Sequence, residues 1–247
     1  MTNPVKSADR TLDILETLAA AGPSTLAELT RLLDIPKSSL HGILRTMAAR
    51  GWIEAEETRF RLGLRALQVG AAYLDADDTV GLLSGILDEL AARFGETTHL
   101  GRLDGPDITY VAKRESVHPL RLYSAIGRRL PAHATALGKA LLAARPPSEV
   151  DALLPDPLPA LTPHTIVDRA ALHAELAAIR ERGYAVDREE NTEGIVCVAR
   201  TVPARDPAAD AISLSIPRTR VGPSTIDEVA AALSAAVEKA ASARRFL

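Results

Sequence analysis

A single cysteine, Cys197, stands among 247 residues. That scarcity excludes an internal disulfide framework and any site assembled from several thiolates. No run of about 18 apolar residues occurs, so no membrane-spanning helix is expected. The opening Met1-Thr2-Asn3-Pro4-Val5-Lys6 lacks the apolar stretch of a secretory signal, and the expected location is the cytoplasm. A strong excess of one charge is missing too. Against 29 Lys and Arg stand 32 Asp and Glu, a net charge of −3, so a polyanionic partner would have to be met by a local surface. Internal repeats and low-complexity tracts are absent, apart from a proline-rich loop at Pro155 to Pro163. What remains is 47% hydrophobic and 25% charged, ordinary for a soluble globular protein and long enough for two domains.

The first sixty residues hold the most specific pattern. Val5, Ala8, Leu12, Leu15 and Ala19 recur at intervals of three and four, predicting an amphipathic helix with one buried stripe that Gly22-Pro23 ends. A second helix is expected from Ser24 or Thr25, where Thr25 and Glu28 have capping-box spacing and Leu26, Leu29, Leu32 and Leu33 give an inner face. Asp34-Ile35-Pro36 makes a short turn, with Pro36 at the start of a third helix, where the missing N–H costs nothing. That helix runs from about Lys37 to Arg50. It carries Leu40, Ile43, Leu44 and Met47 on one face and Ser38, His41, Gly42 and Arg45 on the other, flanked by Lys37 and Thr46.

A DNA major groove admits a helix and asks it for donors, small side chains and positive charge. Between Ile35 and Ile53 there is no acidic residue, while Lys37, Arg45 and Arg50 are basic. Ser38 and Ser39 at the helix start can bind phosphates together with free backbone N–H groups. Gly42 in mid-helix costs about 1 kcal/mol relative to alanine, a cost that close approach to DNA would explain. After Gly51, Trp52 to Leu62 reads as two short strands around a tight turn, a wing whose Arg59 and Arg61 can meet the phosphate backbone. The alternative is a three-helix unit whose polar face is solvated or makes protein contacts.

Three N-terminal stretches then follow in a telling order: Val5-Lys6-Ser7-Ala8-Asp9-Arg10-Thr11-Leu12-Asp13-Ile14-Leu15, Leu33-Asp34-Ile35-Pro36-Lys37-Ser38-Ser39-Leu40-His41 and Arg59-Phe60-Arg61-Leu62-Gly63. Further on come His118-Pro119-Leu120-Arg121, Leu130 to Ala140, Arg182 to Asp187, Glu189-Glu190 and Gly194 to Ala199. On these motifs, from Val5 to about Pro217, the chain resembles the IclR family of bacterial regulators. The resemblance implies an α+β protein in three parts. Residues 1–63 would form a winged helix-turn-helix DNA-binding domain and 64–78 a linker helix that dimerises. Residues 79–247 would form an effector-binding domain similar to the GAF fold, an antiparallel sheet with flanking helices. Dimers or dimers of dimers on a double-stranded DNA operator are implied as well.

Two features depart from the family pattern. The wing turn, Glu54 to Arg59, is shorter than the family's and has no glycine, which puts phosphate contacts from its tip in question. The strand near the C-terminus reads Ser213-Leu214-Ser215-Ile216-Pro217 where the family has Ser-x-Ser-Gly-Pro, so Ile216 is expected to narrow one side of a pocket.

Leu64, Leu67, Ala71 and Leu74 form a narrow seam that suits pairing with an identical helix, or equally packing against the winged domain. A further helix, Thr79 to Phe94, carries Val80, Leu83, Leu87, Leu90 and Phe94 and is closed by Gly95. Strands are expected at 97–103, 108–113, 120–126, 184–187, 195–202 and 211–216, and helices at 135–144, from Asp168 to Gly183, and at 225–245.

By resemblance, effector contacts fall on Thr135, Ala136, Leu137, Asp187, Cys197, Ser213 and Ser215. The chemistry is sound on its own terms. A helix N-terminus favours an anion, and two serines spaced by two on a strand point to one side, so a small carboxylate is the expected ligand. A second carboxylate at Asp187 then requires a hydroxyl or a proton between it and the ligand, as a hydroxy or phenolic acid would supply. Alternatively, the serines satisfy backbone groups and Cys197 is a small buried hydrophobe. Catalysis by a Cys197 thiolate with His133 or His99 as base finds no local support, because the apolar run Ile195 to Ala199 would raise the thiol pKa. No cofactor is expected, and no close metal-ligand spacing is present.

Overall fold

In the computed structural model, which describes residues 5–203 and 207–244, the chain folds as two compact units that meet in sequence at Ala76 and Asp77. The first begins with α1 (Lys6–Ala21), ended by Gly22 at φ 75°. A two-residue strand β1 (Ser24–Thr25) leads into α2 (Leu26–Leu33), and the capping box forms: Glu28 N–H donates to Thr25 Oγ1 at 3.2 Å and Thr25 N–H to the Glu28 carboxylate at 2.7 Å. α3 (Lys37–Ala49) follows, then the hairpin β2 (Ile53–Glu56) and β3 (Arg59–Leu62), and α4 (Leu64–Asp75). β1 pairs with β3, so the wing is a three-stranded sheet in the order β1-β3-β2, one strand more than the sequence pattern shows.

The core of this unit is Ile14, Leu18, Leu29, Ile35, Leu40, Leu44, Met47 and Ile53. The stripe expected on α1 is therefore displaced. Val5 and Leu12 are exposed, while Ile14 and Leu18 are buried, because the apolar residues of α1 cover more of its circumference than its neighbours can. Leu32 of α2 is likewise exposed. No residue of α4 is buried, and Leu64, Leu67, Val69 and Tyr73 lie open.

The second unit opens with α5 (Asp78–Phe94), capped by the Asp77 carboxylate at its start and by left-handed Gly95 at its end. Next come β4 (Thr97–Asp104), β5 (Asp107–Arg114), β6 (Arg129–Pro131), a single 3-10 turn at 132–134, and α6 (Ala136–Ala143). α7 (Pro147–Leu153) and α8 (Arg169–Arg182) precede β7 (Ala185–Arg188), β8 (Ile195–Val202), β9 (Asp210–Pro217) and α9 (Thr225–Arg244). The six strands make one antiparallel sheet in the order β6-β5-β4-β9-β8-β7. α5 and α9 cover one face; α6, with α8 stacked on it, covers the other. Every residue of β9 is buried, as a strand with both faces covered requires. Arg102 on β4 ties this frame together, bonding Asp210 of β9 at 2.7 Å and the α5 cap Asp77.

Residues 120–126, expected as a strand, form none. The edge position beside β5 is taken by β6, reached after Gly127 turns the chain at φ 84°. Leu120, Tyr123 and Ile126 stay exposed, while Leu122 and Ser124 turn inward. Neither α7 nor β6 was expected. The proposed end of the last helix at Arg245 lies outside the described residues.

Candidate DNA interface and effector site

α3 presents Lys37, Ser38, Ser39, His41, Gly42, Arg45 and Thr46 to solvent, because its apolar residues recur on the opposite face. A Cβ added at Gly42 would meet no atom of the chain within 4 Å, so no internal packing demands glycine there. The Thr46 hydroxyl donates back to Gly42 O at 3.1 Å. Among the described residues, the ion pairs of this unit involve only the two wing arginines, leaving Lys37, Arg45 and Arg50 without a carboxylate partner. Arg59 donates to Pro23 O at 2.7 Å and lies 3.5 Å from Glu28; Arg61 pairs with Glu54 at 2.9 Å and Glu56 at 3.3 Å. The cross-strand register sets Glu54 opposite Arg61, so the wing neutralises its own cations. Glu57, not a glycine, takes the left-handed turn position at φ 54°.

In the second unit all seven expected effector residues converge on one narrow cleft on the α6 face of the sheet. Strand register explains the convergence. Asp187 of β7 lies beside Cys197 of β8, Cys197 beside Ser215 of β9, and Ala199 beside Ser213. Alternation then turns Ser213 and Ser215 into the cleft and Ile216 away from it, so Ile216 does not narrow the pocket. Thr135 caps α6, its hydroxyl accepting from Gly138 N–H at 3.0 Å, and the first-turn amides of Ala136 and Leu137 have no acceptor inside the helix. Gly138 is required by close approach, since a Cβ there would lie 2.1 Å from Ala132 O.

Sequence reasoning missed five lining residues: Tyr110, Leu122, Asn191, Thr192 and Ile195. Three of them sit in irregular backbone, where periodicity carries no signal.

The polar groups are linked. Cys197 Sγ lies 3.2 Å from Ser215 Oγ, which lies 3.4 Å from His99 Nδ1, and His99 Nε2 meets Ser124 Oγ at 2.7 Å. His99, wholly buried and stacked on Tyr110 with ring centroids 4.3 Å apart, is pushed down to about 3 and stays neutral. Burial, with the nearby Asp187 charge, pushes the Cys197 thiol well above its ordinary value, which removes a thiolate nucleophile. His133 lies elsewhere, its Nε2 against Pro159 O at 3.0 Å. Among the described residues no group of three or more His, Cys, Asp or Glu is gathered for a metal.

Asp187 is raised to about 7, first by burial and then by the neighbouring Glu190 charge. Its Oδ1 accepts from Glu190 N–H at 2.7 Å. Glu190 in turn holds the buried Lys139 of α6 at 2.5 Å, and Glu175 lies 3.5 Å from the same ammonium. Among the described residues no lysine or arginine lines the cleft, and Lys139 behind it is committed to carboxylates.

A winged helix-turn-helix with an open, positively charged helix, joined to a sheet domain carrying its own cleft, is the architecture of a DNA-binding transcription regulator. The IclR helix-turn-helix domain matches residues 7–57, and the bacterial transcriptional regulator IclR C-terminal domain matches residues 71–242. The chain belongs to the IclR family, whose members are transcription regulators and not enzymes. It is 40% identical over 199 residues to the HTH-type transcriptional regulator XynR of Escherichia coli, covering 79% of each chain. The solved IclR regulator from Alicyclobacillus acidocaldarius superposes with a TM-score of 0.87 at 24% identity, over 97% of this chain and 99% of that one. An IclR homologue from Microbacterium hydrocarbonoxydans, solved with 4-hydroxybenzoate, gives a TM-score of 0.78 at 22% identity over 96% and 99%. The two structures speak for the fold. Among the described residues no helix is long and apolar enough to cross a membrane.

Proposed function

We propose that α3 reads an operator in double-stranded DNA and that a small organic acid in the α6 cleft controls this binding. Lys37, Ser38 and Ser39 would take phosphates at the helix start, and His41, Gly42, Arg45 and Thr46 would face base edges. Arg59 and Arg61, already held by acids of their own unit, contribute less. The exposed Leu64 and Leu67 on α4 suit pairing with a second copy, giving a dimer or a dimer of dimers in the cytoplasm. Effector binding then shifts a two-state equilibrium that sets the spacing of two α3 helices on their half-sites.

The observation that carries the effector reading is the convergence of the seven residues on one cleft lined by uncharged donors. The α6 amides and the Ser213 and Ser215 hydroxyls favour a carboxylate. Asp187, titrating near neutrality, accepts a hydroxyl proton or supplies one of its own. A hydroxy or phenolic acid satisfies both ends. The relative solved with 4-hydroxybenzoate holds a molecule of that type.

Fluorescence polarisation with duplexes from the chain's own upstream region tests the reading. Affinity falls as salt rises, and a panel of small organic acids shifts it. Ser215→Leu abolishes the shift while leaving DNA binding intact; loss of both would indicate a folding defect. A chain that ignores every duplex at low ionic strength would sink the proposal.

A further inference from the structure

The loop between β7 and β8 places one donor in the cleft with nothing to donate to. Asn191 lines the cleft, and its Nδ2 is buried without a hydrogen-bond partner among the described residues. The amide's orientation is fixed from the other end, because the Thr192 hydroxyl donates to Asn191 Oδ1 at 3.1 Å. A buried donor left unmade is costly, so its presence in a ligand cleft calls for an acceptor on the ligand.

The loop is also held rigidly. The Thr165 hydroxyl donates to Glu190 O at 2.6 Å and the Thr162 hydroxyl to Glu189 O at 2.7 Å, while the buried Lys139 holds the Glu190 carboxylate. A group presented on such a loop needs little ordering when ligand arrives. Two residues upstream of Glu189, the Asp187 carboxylate faces the same cleft as an acceptor.

The lining therefore includes an unpaired donor, on Asn191, and a carboxylate acceptor, on Asp187, four residues apart in the chain. The simplest group that answers both through one atom is a hydroxyl, which donates one hydrogen and accepts through its lone pairs. An ether or ketone answers only Asn191, and an ammonium answers only Asp187. We propose that Asn191 and Asp187 form a hydroxyl-reading pair, so that the cleft selects acids bearing a hydroxyl over the same acids without one. Asn191 is the specificity-determining member. This inference rests on the acid-effector reading above and narrows its ligand class.

Isothermal titration calorimetry of the full chain with matched pairs tests it: 4-hydroxybenzoate against benzoate, 4-hydroxyphenylacetate against phenylacetate, and lactate against propionate. In the wild type, at least one pair shows the hydroxyl member bound about tenfold tighter or more, the fold-change of a satisfied polar contact in a buried site. Asn191→Ala brings that pair to within about threefold, since the donor is gone. Asn191→Asp, nearly isosteric, weakens the hydroxyl member selectively because two acceptors then face one hydroxyl. Melting curves of both variants confirm that the fold is intact, and Asn191→Ser gives the same readout if alanine destabilises the loop. Equal binding of both members of every pair by the wild type, or retention of the whole preference in Asn191→Ala and Asn191→Asp, overturns the proposal. If the wild type binds none of the acids, the acid-effector reading itself falls, and the pairing with it.

Discussion

Replacing Lys139 by methionine tests the charge arrangement behind the cleft. Lys139 is 1% exposed, and its ammonium lies 2.5 Å from Glu190 and 3.5 Å from Glu175. Methionine keeps much of the volume and apolar stem of lysine but removes the cation. Glu175 retains Arg182 at 2.7 Å, so only Glu190 is orphaned, buried and beside Asp187. Removing one partner of a buried ion pair costs about 3–5 kcal/mol, because the remaining charge is stranded in low dielectric. For a unit of this size that corresponds to a melting-temperature loss of roughly 6–20 °C. Calorimetry of the full chain resolves the effect, and the protein supplies its own control. Its one tryptophan, Trp52, lies in the winged unit, so the fluorescence-detected transition should stay where it is. Adding Glu190→Gln to Lys139→Met should recover most of the loss, since an uncharged pair is far cheaper to bury. A single variant within about 1 kcal/mol of wild type would refute the reasoning.

Asp187 titrates near 7 when folded, against 3.8 for the free side chain. Within that window the folded chain holds a proton that the unfolded chain has released, so stability falls as pH rises, by ~1.4 kcal/mol per unit. Asp187→Asn should remove that slope between about pH 4 and 7, as read by urea denaturation at stepped pH; an unchanged slope would assign it to another group. Arg45→Ala should weaken operator binding by about 1–3 kcal/mol and relax one base position, with the second unit's melting unchanged. An unaltered binding profile would remove Arg45 from the reading set. Arg61→Ala should cost less, because Glu54 and Glu56 already hold that cation. Leu67→Glu on the exposed α4 should shift sedimentation toward monomer, and an unchanged oligomer would exclude α4 as the pairing element.

Where local chemistry dictates the backbone, the sequence was legible. The Thr25/Glu28 box, the Gly95 and Gly183 stops and the Asp168 cap all stand where residue type demands them. The β7, β8 and β9 patterns were readable for the same reason; the choice of Asp187, Cys197, Ser213 and Ser215 along them came from the family resemblance, and the strand register explains why they lie on one side. What failed required tertiary information. The α1 stripe could be drawn through Leu12 or through Ile14, and only the placement of α2 and α3 decides between them. The alternating run Leu120 to Ile126 resembles a strand, yet the edge of β5 accepts one partner and Arg129–Pro131 takes it. The wing arginines were legible as cations but not as paired ones, since their acids lie across a strand or in another element. Asn191 and Thr192 left no trace because loops have no period.

The size of the expected switch gives meaning to the lack of a lysine or arginine among the described residues that line the cleft. Coupling between two sites in regulators runs to about 1–3 kcal/mol, and one net hydrogen bond is worth about 1 kcal/mol. An effector therefore needs only one or two contacts that differ between the states it links. A cation in the lining would bind every carboxylate strongly, without regard to what else the molecule carries. With Lys139 committed to Glu190 and Glu175, recognition of a ligand in this cleft would be left to donors of hydrogen-bond strength. Each of these is comparable to the whole coupling, so on the proposed reading a single hydroxyl on the ligand would be enough to decide whether the regulator responds.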